Sequence, residues 1–100
     1  MSIPKKIKDG YFTYKIEQMP EEECSNFLGD FIRDDYKIRI DFNKHKDCVK
    51  DTLLHEMIHM WLCGLGLPPE MEEHVCQNLP HRMINTLKTN PQIKKFIFED

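Results

Sequence analysis

The chain has 100 residues, of which 40% are hydrophobic and 31% charged, enough for a single domain over residues 1-100 with one modest core. Its formal net charge is -3, and its 14 Lys and Arg are scattered among 17 Asp and Glu, without the basic patch that a nucleic-acid groove requires. No run approaches the roughly 18 apolar residues of a membrane span, and Met1-Ser-Ile-Pro-Lys-Lys6 has no apolar stretch behind its charges, so the expectation is a cytoplasmic protein with neither membrane nor nucleic-acid partners.

The first element is a strand. Phe12, Tyr14 and Ile16 alternate with Thr13, Lys15 and Glu17, the period of a half-buried strand, and Met19-Pro20 ends it. Glu21 to Ser25 is a polar connection whose charges are expected to face solvent. Phe27 to Arg33 and Tyr36 to Phe42 are two further strand-like runs joined at Asp34-Asp35, residue types that tolerate turn geometry. Tyr36, Ile38, Ile40 and Phe42 point one way and Lys37, Arg39 and Asp41 the other, which gives a sheet with one packed and one wet face. The fold class predicted is α+β, with a three-stranded antiparallel sheet over 11–42.

Residues 43–47 form a polar loop in which His45 is expected to be exposed, and a helix follows over 47–64, started by Asp47 or Asp51. Leu53, Met57, Trp61, Leu54, Ile58 and Leu62 occupy an arc of roughly 180° on its wheel, while His55, Glu56 and His59 share the remaining sector. Those three residues spell His-Glu-x-x-His. On a helix, side chains four apart stack on one face, so two imidazoles can close on one ion while the glutamate after the first sits beside the metal. A buried polar sector without partners costs roughly 1–3 kcal/mol per group, which a zinc ion would remove. His55 and His59 are therefore the candidate metal ligands and Glu56 the candidate catalytic base.

Catalytic zinc takes three protein ligands and a water. A third histidine at the spacing HExxHxxGxxH is absent, since Leu62 and Leu65 stand at its glycine and histidine positions. After Gly64-Leu-Gly-Leu-Pro-Pro69 breaks the first helix, a second is predicted over 70–89. Its apolar face is drawn by Val75, Cys76, Leu79, Met83, Ile84 and Leu87. Glu72 falls inside that face and Glu73 at its edge, so periodicity leaves both open as the third ligand. Pro91 opens a short last helix over 91–98, whose Ile93, Phe96, Ile97 and Phe98 are expected to dock on the core.

The stretch Asp51 to His59, then Glu73-His-Val-Cys76-Gln-Asn-Leu79, then Thr89-Asn-Pro-Gln92, resembles the small phage- and prophage-encoded ImmA/IrrE-type metallopeptidases, a gluzincin-like group with HExxH followed by a ligand glutamate. In that family the ligand precedes a small or aliphatic residue by three, and Glu73, Cys76 and Leu79 match this register. Leu28-Gly-Asp-Phe-Ile-Arg33 and Lys37-Ile-Arg-Ile-Asp41 resemble the family's strands before the metal helix. Where the family usually has a small residue this chain has Pro80, which removes a helical hydrogen bond and predicts a kink. The resemblance implies a minimal zincin-like domain, a Zn²⁺ cofactor on His55, His59 and Glu73, and a metalloendopeptidase whose substrate is a cytosolic protein or peptide, in this family often a transcriptional repressor of a mobile element.

The reaction implied is metal-assisted hydrolysis, Glu56 taking a proton from the attacking water and returning it to the leaving amine. An oxyanion stabiliser has no spacing rule; Tyr14, His74, His81 and Arg82 are the available types. Cys24, Cys48, Cys63 and Cys76 form no C-x-x-C pair and read as free thiols. The alternative reading is a latent or non-catalytic zinc-binding interaction protein of a mobile element.

Overall fold

The computed structural model describes residues 2–99. Four strands, β1 (Lys6–Asp9), β2 (Phe12–Gln18), β3 (Gly29–Ile32) and β4 (Lys37–Ile40), precede four helices, α1 (Lys46–Leu62), α2 (Pro69–Asn78), α3 (Pro80–Thr89) and α4 (Pro91–Phe98). The architecture is α+β, as the alternation of apolar patterns predicts. Among the described residues no helix is long and apolar enough to cross a membrane.

The sheet differs from the expected three antiparallel strands. It has four strands in the order β1-β2-β4-β3, and β2 runs parallel to β4, with Ile16 opposite Ile38. Burial explains the order. Ile38 and Ile40 of β4 are 0% and 1% exposed, so the most apolar strand takes an inner position, paired on both sides. The connection through a 3-10 turn at Glu21–Glu23 carries the chain past β4 and leaves β3 at the edge. The added strand, β1, turns into β2 through Gly10, whose φ of 60° belongs to the left-handed region where glycine is at ease.

One face of the sheet packs on α1, where Ile16, Ile38, Ile40 and Val49 form the core with Leu53 and Met57 against them. Gly29 lets β3 approach closely: a Cβ there would lie 2.7 Å from Thr52 Cγ2 and 2.9 Å from the Arg39 carbonyl oxygen. On β4, Arg39 donates to Asp30 on β3 and to Glu23 at 2.9 Å, so Glu23 belongs to an ion-pair network instead of simply facing solvent.

Three more expectations change among the helices. His45, not Asp47 or Asp51, caps α1: its Nδ1 accepts from the Asp47 N–H at 3.2 Å. The helix predicted over 70–89 is two, divided at Pro80, which has no N–H to donate to the preceding turn. Leu79 stays helical (φ -82°, ψ -40°) and donates to the Val75 carbonyl at 2.9 Å, so the division is a kink and not a loop. Finally, α4 packs on α3 and buries none of its residues; Phe96 is 81% exposed, contrary to its expected docking on the core.

Candidate metal centre

α1 holds His55, Glu56 and His59 because the core claims its opposite side. Val49, Leu53 and Met57 are turned to the sheet, and the 3.6-residue period leaves both histidines on the flank that α2 covers. The turn between the helices, Cys63 to Pro68, reverses the chain with Gly64 at φ 87° and Gly66 at φ 77°. That reversal brings the first turn of α2 over His59.

Glu73 then spans the two imidazoles. Its Oε1 lies 3.2 Å from His55 Nε2 and its Oε2 2.9 Å from His59 Nε2, with the two rings 5.1 Å apart between centroids. One ligand atom from each of His55, His59 and Glu73 fits within 4.8 Å of the other two, and this is the only such group of three among the described residues. A tetrahedral zinc ion with bonds of 2.0–2.1 Å separates its ligand atoms by about 3.3 Å, so two imidazoles and a carboxylate at these distances fit that ion in both chemistry and spacing.

The choice between the two adjacent glutamates is geometric. Successive helical residues point about 100° apart, so only one of the pair can face both histidines. Glu73 does; Glu72 turns to the far side of His59 and its Oε2 stands 2.6 Å from Nδ1. An ionised carboxylate only accepts, so His59 donates through Nδ1 and its Nε2 is the atom presented toward Glu73 and His55.

Burial sorts the charges. Glu56 is 6% exposed, with Oε2 3.9 Å from His55 Nε2, and desolvation pushes its carboxyl up to about 7, helped by the negative charges of Glu73 and Asp30 and opposed by His59. His55 is lowered, by burial first, against the pull of Glu73. For His59, burial works downward, but the hydrogen bond it donates to Glu72 and the charges of Glu56 and Glu73 outweigh it and leave the imidazole raised. The side chain of Glu73 is 44% exposed against 20% and 16% for the histidines, so the group opens to solvent on the Glu73 side.

The oxyanion candidates lie elsewhere. Tyr14 packs on Phe31 and Tyr36 near Cys63, and burial raises its hydroxyl pKa. His74 faces Asn78, His81 lines a groove with Asp47 and Asp51, and Arg82 is exposed. Two residues outside the predicted ligand and base set do reach the site: Asp30, through its charge on Glu56, and Gly29, whose missing side chain admits Glu56 and Thr52. Both stand in the stretch Leu28 to Arg33, which the sequence marks as a strand without tying it to Glu56.

The fold and site together define a small α+β domain carrying a His-His-Glu group across two helices, with a buried carboxylate beside it. No protein-family model, curated protein or solved structure matches the chain.

Proposed function

We propose that the chain is a zinc-dependent metalloendopeptidase of minimal zincin-like fold, acting on a protein or peptide substrate. The observation that carries this reading is the convergence of His55, His59 and Glu73 within 4.8 Å, with Glu56 buried next to them. When bound, zinc would supply Lewis acidity and make water acidic enough to ionise near pH 7. Glu56, raised to about 7 by burial, is suited to accept the proton of the attacking water and to deliver it to the leaving nitrogen. Glu72 holds the ring of His59 by its Nδ1. The free edge of β3 offers unpaired backbone groups to an extended peptide, and Gly29 sets that edge against Glu56, its would-be Cβ 3.6 Å from Glu56 Cγ.

Elemental analysis of the purified protein tests the ligand set. One zinc per chain is expected in the wild type and in Glu72→Ala, and none in Glu73→Ala. Glu56→Gln should keep the metal and lose peptide hydrolysis; turnover at the wild-type rate in that variant would refute the mechanism, zinc bound by a wild type that hydrolyses no peptide would leave the zinc-binding interaction-protein reading in its place, and failure to bind zinc even on addition would refute both.

A further inference from the structure

At the end of the sheet, where the β3–β4 turn meets the last turn of α1, an open cavity of about 510 Å³ is lined by Phe12, Tyr14, Tyr36 and Trp61, with Asp9 and Asp34 also in its wall. Aromatic side chains normally bury their rings, yet Phe12, Tyr36 and Trp61 are each about half exposed around this space. Phe12 and Tyr36 stack at 5.5 Å, and Tyr36 is held at φ 51°, a conformation that a bulky residue rarely adopts. Tyr14 is 8% exposed and lines the cavity.

The chemistry of the wall selects its occupant. Aromatic faces attract cations and also pack against methylene chains. Neither Asp9 nor Asp34 takes part in a salt bridge among the described residues, and Arg33 supplies the one opposing charge, which leaves the wall negative by one. A phenol oxygen and two carboxylates are acceptors for an ammonium with three donors. We propose that this cavity is a binding site for a basic side chain, lysine or arginine, of an extended polypeptide.

Its position connects it to the metal centre. Cys63, also in its wall, is the first residue after α1, four positions beyond His59, and its N–H donates to the His59 carbonyl at 2.9 Å. β3 runs from Gly29, beside Glu56, and the chain leaving it reaches the cavity at Arg33, roughly 13 Å on. A peptide laid along β3 would bring a side chain to the cavity a few residues from the bond at the metal. This placing relative to a cleaved bond rests on the peptidase reading; the binding site itself does not.

Trp61 is the only tryptophan of the chain, so its fluorescence reports on the cavity directly. The probes are N-acetyl-lysine methylamide and its uncharged counterpart N-acetyl-norleucine methylamide, titrated at matched ionic strength. For a ligand this small a dissociation constant on the order of 1 mM is expected for the lysine probe. The norleucine probe should bind at least about fivefold more weakly, and Asp9→Asn combined with Asp34→Asn should erase the difference. Equal binding of both probes would overturn the proposal in favour of an apolar pocket, and so would the absence of a saturable change with either. Circular dichroism of the double variant, whose changes are at exposed positions, checks that it folds. Neither probe asks for hydrolysis, so failure here leaves the peptidase reading intact, while inactivity of the metal site leaves this result intact.

Discussion

Replacing Gly29 by alanine tests how closely β3 and α1 are fitted beside the candidate base. The new methyl would meet Thr52 Cγ2 at 2.7 Å and the Arg39 carbonyl oxygen at 2.9 Å, whereas ordinary contacts begin near 3.4 Å, so strand and helix must part by about half an ångström. Neither obstacle yields cheaply. Thr52 is 6% exposed with a short branched side chain, and the second obstacle is the backbone of the neighbouring strand. Overpacking of this kind costs about 1–3 kcal/mol, offset by about 0.4–1 kcal/mol because alanine restricts the unfolded chain. The net loss is about 1–2 kcal/mol, which for a domain of this size lowers Tm by roughly 5–15 °C. Thermal and urea denaturation measure it, and Thr52→Ser, which removes Cγ2, should recover part of the loss in the double variant. A Gly29→Ala protein as stable as the wild type, with no coupling to Thr52, would refute the close approach.

Glu72→Gln should weaken zinc binding by about 10–100-fold in a chelator competition while leaving the metal in place at saturation, since the hydrogen bond to His59 Nδ1 orients a ligand without being one; an unchanged affinity would contradict that geometry. Glu56 has a folded pKa raised from 4.5 to about 7, so its protonated form is favoured by folding, and in the presence of chelator its contribution to stability is full below pH ~4.5 and lost as pH rises to about 7. The stability difference between wild type and Glu56→Gln should therefore shift against the wild type by on the order of 3 kcal/mol over that window, measured by urea denaturation at stepped pH, and a flat difference would refute the desolvated carboxyl. Cys76 is 0% exposed and burial pushes its thiol up to about 12, so it should be the last of the four cysteines alkylated in a timed mass-spectrometric assay at pH 8; modification as fast as Cys48 or Cys63 would show that α2 opens readily.

The parts legible in the sequence are those that depend on local period. The face of α1 that carries His55, Glu56 and His59 follows from 3.6 residues per turn, and the alternation separates Arg39 from the buried Ile38 and Ile40 of β4, but it fails at the ends of the run, where Asp41, expected in water, is 6% exposed and Tyr36, expected to pack, is 45% exposed. What depends on distant pairing was not legible. Nothing in the composition of Phe12–Gln18 says whether it runs parallel or antiparallel to Lys37–Ile40, because that is decided by which strand buries most once the sheet meets α1. β1 has a single apolar residue, Ile7, in Lys6–Asp9 and no period to detect, yet Asp9-Gly10 before an alternating run is a hairpin signal that marks its end. His45 shows the same limit at smaller scale: an imidazole is not among the preferred caps, but its Nδ1 accepts as an oxygen would.

The three glutamates near the histidines show why type and spacing define such a site only in part. All three carry the same carboxylate, and their duties come from surroundings the chain acquires on folding. Glu56 lies on α1 under β3, where Gly29 lets the strand close over it, and desolvation there makes it a proton acceptor near neutrality instead of a permanent anion. Glu72 and Glu73 are neighbours on α2, yet the angle between successive helical residues sends one behind His59 and the other between His59 and His55. The kink at Pro80 falls a full seven residues beyond Glu73, almost two turns away, and Leu79 remains helical through it, so α2 presents its first turn to α1 undisturbed. Proline therefore divides α2 from α3 without moving the candidate ligand, and beyond the kink α3 still packs against α1, His81 and Asn85 sharing a groove with Asp47 and Asp51.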